Sequence, residues 1–172
     1  MALERADAVT FIGQPMTLVG PELKAGDKAG DFRVLAGDLS EVTLASDPGK
    51  IRLILSIPCL DTGICDAEVR RFNQEATAFG DSVVVYAISV DLPPTQSRWC
   101  AAAGVRNVRV LSDHRAMSFG EAFGTFIKEI RQLSRAIFIV DGEDTVQYAQ
   151  YLPAVGQHPD YEDALAALRK LI

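Results

Sequence analysis

Long apolar runs are missing from this 172-residue chain: no segment approaches the roughly 20 residues needed to cross a bilayer. Histidine is scarce. The two present, His114 and His158, stand at no ligand-like spacing to a cysteine, so neither a metal centre nor another cofactor is expected. Cysteine is scarce too: Cys59, Cys65 and Cys100 are too few for a disulfide scaffold and odd in number. No Cys-x-x-Cys pair occurs, which argues against a dithiol oxidoreductase. Basic residues number 17 against 23 acidic ones, a net charge of −6 that disfavours nucleic acid or an anionic membrane as partner. The opening MALERADAVTFIG lacks the basic stretch and apolar run of a secretory signal, so the cytoplasm is the expected location. Repeats, low-complexity tracts and linkers are absent, and residues 1–172 read as one domain.

What is present is an ordinary globular composition, 48% apolar and 23% charged, long enough to bury a core. Alternation of apolar and polar residues from Val9 to Val19 around Gly13-Gln14-Pro15 predicts a β-hairpin. Phe32 to Leu35 and Val42 to Leu44 read as short strands. The nearly continuous apolar stretches Ile51 to Ile57 and Val83 to Val90 predict strands buried on both faces, and Val108 to Leu111 a further core strand. Helical spacing runs from Cys65 to Phe79 through Val69, Phe72 and Ala76, with Gly80 as the stop. Further helices are expected over Thr95 to Ala103, around Met117 to Phe123 and over Asp160 to Leu171. A second hairpin joins Ala136–Val140 to Thr145–Tyr151 through Asp141-Gly142-Glu143-Asp144. This order predicts an α/β fold, a central mixed sheet flanked by helices on both faces with an N-terminal β-hairpin.

The informative segment is Pro58-Cys59-Leu60-Asp61-Thr62-Gly63-Ile64-Cys65, which joins the end of a buried strand to the start of a helix. Cys65 then falls in the first helical turn, where free backbone N–H groups and the positive end of the helix dipole favour a thiolate. Thr62 is placed to cap the helix or to hydrogen-bond the sulfur or a bound peroxide. Pro58 stiffens the loop and shields the sulfur. A small buried hydrophobe is the other reading of each cysteine. For Asp61 and Glu68, helix-start charges are favoured over acid–base catalysts.

With these residues in view the chain resembles the thiol peroxidases, an atypical two-cysteine branch of the peroxiredoxins. The pattern Pro-x-x-x-Thr/Ser-x-x-Cys is met by Pro58, Thr62 and Cys65. The branch's fuller pattern is similar to DTGICDAEVRRFN at Asp61–Asn73, SVDLPPTQSRWC at Ser89–Cys100, RAIFIVD at Arg135–Asp141 and PDYEDAL at Pro159–Leu165. The resemblance implies a thioredoxin-like fold and a homodimer. It implies that Cys65 attacks a hydroperoxide and becomes a sulfenic acid, that Cys100 condenses with it to a disulfide, and that a thioredoxin-like dithiol restores both thiols. Arg135 matches the active-site arginine, which favours the thiolate and polarises the peroxide; a plain salt bridge at a strand entrance is the alternative, and Arg131 suits that role better. Organic hydroperoxides are implied over hydrogen peroxide; Ile64, Leu92, Trp99 and Phe123 are candidate pocket walls, with plain core as the other reading of the same residues. Cys59 departs from the family pattern, where serine is more usual; a small side chain under the loop is the favoured reading, and a competing resolving thiol six residues from Cys65 is the other. The remaining functional alternative is a non-enzymatic redox sensor that relays its disulfide to a partner protein.

Magnitudes limit what the thiolate alone supplies. A cysteine of ordinary pKa, about 8.5, is roughly 3% ionised at pH 7, so full ionisation gains at most about 30-fold. Enzymes gain roughly a million-fold or more. Most of the acceleration must come from holding and polarising the peroxide, a task that suits Thr62, Arg135 and the backbone N–H of Cys65.

Overall fold

The computed structural model describes residues 1–172. Its centre is a seven-stranded mixed sheet in the order β11-β10-β5-β6-β7-β3-β4. These strands span β3 Arg33–Leu35, β4 Glu41–Thr43, β5 Ile51–Ser56, β6 Val83–Ser89, β7 Arg109–Ser112, β10 Ala136–Val140 and β11 Val146–Tyr151. The β5-β6-β7 pairings are parallel, and the remaining ones antiparallel. Period-2 alternation divides the apolar side chains between two layers. Leu53, Leu55, Ile137 and Ile139 face one layer, while Ile54, Ala136, Phe138 and Val140 face the other.

Helices α1 (Gly63–Glu75), α2 (Pro93–Ala103) and α4 (Tyr161–Arg169) supply the first layer through Val69, Phe72, Trp99, Ala164, Leu165 and Leu168. The short α3 (Ser118–Ala122) contributes Phe119 to the second layer, where the ring stacks on Phe123. Helix α2 starts at Pro93 and Pro94, two residues before the expected Thr95, at positions where a missing N–H and a fixed φ suit a helix start. Gly104, at φ 68°, ends that helix in the left-handed conformation.

The N-terminal hairpin forms as expected from β1 (Glu4–Phe11) and β2 (Gln14–Val19). Its two-residue turn places Ile12 at φ 48° and Gly13 at φ 73°, the primed geometry that matches strand twist. Two short strands, β8 (Phe126–Ile127) and β9 (Gln132–Leu133), extend the hairpin into a separate four-stranded sheet, β1-β2-β8-β9. Each holds only two residues, too few for alternation to register. No helix is long and apolar enough to cross a membrane.

Candidate active site

The central strand β5 ends at Ser56, and its antiparallel neighbour β10 begins opposite it, with Ala136 paired to Ser56. Residue 135 therefore enters the sheet where the loop after β5 leaves it. Pro58 is buried at that exit, and the loop is held by Asp91, which accepts from the Leu60 N–H at 3.0 Å and the Ser89 hydroxyl at 2.7 Å. Thr62 is the N-cap of α1, in extended conformation, and Cys65 lies three residues into the helix.

Thr62 does not cap α1 through its side chain. Its hydroxyl instead donates to Cys65 Sγ at 2.9 Å and also lies 2.9 Å from the Cys59 carbonyl oxygen. Arg135 Nη2 donates to the same sulfur at 3.2 Å. The guanidinium is only 2% exposed and is pinned twice more: Nη2 donates to the Val155 carbonyl at 3.2 Å, and Nη1 donates to Glu68 Oε2 at 2.6 Å. Burial opposes the charge on Arg135, yet Glu68 and Cys65 together hold its pKa above the ordinary value. Arg131, by contrast, makes no ion pair at the site and lies over the Phe126 ring at 5.4 Å.

Three expectations need correction. Glu68 is more than a helix-start charge: it is 0% exposed and paired with Arg135, and burial pushes its pKa up to about 7 against the pull of that guanidinium. Its place was marked in the sequence by position alone, since residue 68 falls on the stripe shared by Cys65, Val69 and Phe72. Cys65 itself has no exposed surface, so the shielding expected of Pro58 is complete and the sulfur is less reachable than the sequence suggests. The loop and Arg135 cover it, and its two hydrogen-bond partners, Thr62 and Arg135, line a cavity of about 550 Å³. Of the expected pocket walls only Ile64 lines that cavity. Phe123 is buried in the core, Trp99 packs between helices and Leu92 is exposed. The opposite wall comes from Phe11 and Ile12 at the hairpin tip and from Val155, residues brought in by tertiary packing across more than 50 positions of chain.

Cys100 lies in α2, half-buried against the same apolar layer as Cys65, and burial pushes its thiol pKa up. All three cysteines are free thiols. Cys59 donates weakly to Asp91 at 3.6 Å, and burial holds its pKa above the ordinary value. No group of three or more His, Cys, Asp and Glu side chains is arranged to hold a metal ion. The arrangement is suited to thiolate attack: a sulfur with a hydroxyl and a guanidinium donor, beside a partly apolar cavity.

Comparisons with known proteins agree in kind. The family model described as Redoxin matches residues 24–165. The thiol peroxidase of Bacillus subtilis is 52% identical over 164 residues, covering 95% of this chain and 98% of that protein. The thiol peroxidase of Staphylococcus aureus (strain MRSA252) is 45% identical over 163 residues, covering 95% and 98%. Among solved structures, a peroxiredoxin-like protein from Aquifex aeolicus superposes with a TM-score of 0.89 at 37% identity, covering 97% of this chain and 98% of that one.

Proposed function

The chain belongs to the Redoxin family and is a thiol-dependent peroxidase of the peroxiredoxin kind; on that premise we propose that Cys65 is its nucleophile and Cys100 its resolving thiol. In the first step the Cys65 thiolate attacks the terminal oxygen of a hydroperoxide. The S–O bond forms as the O–O bond breaks, the sulfur is oxidised to a sulfenic acid, and the departing alkoxide takes up a proton to leave as the alcohol. In the second step the Cys100 sulfur attacks the sulfenic sulfur, water leaves, and a Cys65–Cys100 disulfide remains. A thioredoxin-like dithiol returns both to thiols by exchange.

The single observation that carries this reading is the convergence of the Thr62 hydroxyl and Arg135 Nη2 on Cys65 Sγ, at 2.9 and 3.2 Å. Donors already fixed around the sulfur are placed to bind the peroxide oxygens as negative charge moves from sulfur to oxygen, and their orientation is set before the reaction begins. Pro58 holds the loop in shape beneath them. The apolar rim of the cavity, with Phe11, Ile12, Ile64 and Val155, suits the carbon tail of an organic hydroperoxide better than hydrogen peroxide. A single domain over 1–172, a homodimer and a cytoplasmic location belong to the same reading.

The test is a coupled peroxidase assay, with thioredoxin and thioredoxin reductase, on wild type, Cys65→Ser and Cys100→Ser. Cys65→Ser is expected to abolish peroxide consumption. Cys100→Ser is expected to keep the first turnover and to lose recycling. Loss of the first turnover in the Cys100 variant alone would reverse the two roles.

A further inference from the structure

Helix α1 is stitched to the end of α2 along one face. Asp66, Arg70 and Asn73, at i, i+4 and i+7, all bond to residues 99–107. At the top, Trp99 Nε1 donates to Asp66 Oδ1 at 3.1 Å while Arg70 Nε donates to Asp66 Oδ2 at 2.7 Å. Arg70 also donates to the Ala103 carbonyl at 3.1 Å and lies over the Trp99 ring at 5.9 Å. Asn73 Oδ1 accepts from the N–H groups of Arg106 and Asn107 at 3.0 and 2.8 Å. None of these bonds touches the Cys65 sulfur, the Thr62 hydroxyl or Arg135.

The position of the uppermost bond is what matters. Asp66 and Trp99 are the chain neighbours of Cys65 and Cys100. A disulfide needs Cα atoms within about 7 Å and sulfurs about 2 Å apart. Both cysteines are free thiols set within helices, Cys65 in the first turn of α1 and Cys100 near the end of α2. Opening either turn to bring the sulfurs together separates Asp66 from Trp99.

We infer that Asp66 is a positioning residue for the second half-reaction: its bond to Trp99 holds the Cys100 helix in place and sets the rate of disulfide formation. This rests on the assignment of Cys65 and Cys100 made above. While the bond holds, the sulfenic acid waits. A second hydroperoxide then competes for it, and Cys65–SOH plus ROOH gives Cys65–SO₂H plus ROH, instead of Cys65–SOH plus Cys100–SH giving the disulfide plus water. The strength of one hydrogen bond therefore divides the protein between turnover and inactivation. Released, a bond to a charged acceptor corresponds to about a tenfold change in the opening equilibrium.

The experiment is rapid-quench oxidation of the full reduced chain by cumene hydroperoxide, with sulfenic acid, Cys65–Cys100 disulfide and sulfinic acid each quantified by peptide mass. In Asp66→Ala, sulfenic acid is expected to form within about twofold of the wild-type rate. Disulfide is expected about tenfold faster, with the sulfinic fraction at fixed peroxide falling by a similar factor. Asp66→Asn keeps an acceptor for Trp99 and is expected to restore near-wild-type partition. Arg70→Met, at a half-exposed position, is expected to act in the same direction more weakly, and it decides the matter should Asp66→Ala fail to fold. Disulfide formation unchanged or slowed with a normal first step overturns the inference, and so does an equal fall in both rates. A wild-type protein that forms no sulfenic acid at Cys65 overturns the underlying assignment instead.

Discussion

Arg135 and Glu68 form an ion pair of 2.6 Å in which the side chains are 2% and 0% exposed. The same guanidinium bonds Cys65 Sγ through its other Nη nitrogen, so two acidic groups on successive turns of α1 share one buried cation. Glu68 fixes the plane of Arg135 and thereby the direction of the donor that reaches the sulfur. Its second oxygen, Oε1, has no partner.

Removing the carboxyl strands a charge. Glu68→Ala leaves the Arg135 guanidinium buried with one partner fewer, and a loss of about 3–5 kcal/mol of stability is expected in urea unfolding. Glu68→Gln keeps an acceptor at nearly the same place and is expected to fold. Its distinguishing mark is the pH dependence. Burial pushes the Glu68 carboxyl up to about 7 in the folded state, against an ordinary value of 4.5, so between those limits the folded protein holds the proton that the unfolded chain has lost. The wild type therefore carries a stability contribution that is fully present below about pH 4.5 and lost as pH rises toward 7. Glu68→Gln removes it, and stability relative to wild type is expected to climb over that window. A difference flat in pH between the two proteins would show that the carboxyl is ionised throughout.

The Thr62 hydroxyl should matter more to rate than to folding. Thr62 is exposed, and its side chain makes no helix cap, so Thr62→Val is expected to change stability by less than about 1 kcal/mol. The hydroxyl bond to Cys65 Sγ is lost, and the second-order rate of the first step is expected to fall about 10- to 100-fold, as for a hydrogen bond to a charged group. Thr62→Ser retains the donor and should recover most of the rate. Stopped-flow oxidation measures both variants. A loss in Ser with Val unaffected would place the effect in the methyl group.

Much of this was legible from the chain itself, and the parts that were not share a cause. The strand at Ile51–Ser56 and the helix after it were announced by an apolar run, a proline and helical spacing. Their junction then located Cys65, Thr62 and Pro58 together. Local pattern also placed β10, hence Arg135 at its start. What escaped was everything decided by distant packing. Glu68 is polar by type and core by position, and only a guanidinium arriving from residue 135 makes that position tolerable. The hairpin was expected, but nothing local says that its tip reaches the cavity beside Pro58 and Ile64. Pro93 and Pro94 open α2 two residues before the expected start at Thr95, because proline breaks most elements but costs nothing at a helix start.

Ile12 is an unfavourable residue for its place. A β-branched side chain at φ 48° is a conformational outlier, and this one is also 84% exposed. Asparagine suits the first position of such a turn, so Ile12→Asn is expected to stabilise the protein by about 1 kcal/mol. Ile12 lines the cavity beside the site, and the variant is expected to raise KM for cumene hydroperoxide several-fold while leaving hydrogen peroxide turnover unchanged. Steady-state kinetics with the two peroxides separates the effects. An identical change for both would remove Ile12 from substrate selection.

Cys59 is the nearer thiol to Cys65 in sequence, and distance alone would make it the resolving partner. Two features argue against it. Attack on a sulfenic sulfur needs a thiolate, and burial beside Asp91 holds the Cys59 thiol protonated. Cys100 is also raised by burial, but it sits in the helix inferred above to open during the step, whereas the Cys59 loop is tied down through the Leu60 N–H and Asp91. Opening brings water and an ordinary ionisation back to Cys100 and leaves Cys59 as it was. Cys59→Ser is therefore expected to keep thioredoxin-linked turnover within about twofold of wild type. Peptide mapping of the peroxide-oxidised wild type is expected to return the Cys65–Cys100 bridge. Recovery of Cys59–Cys65 as the main product would move the resolving role to the loop and make the α1–α2 stitch irrelevant to catalysis.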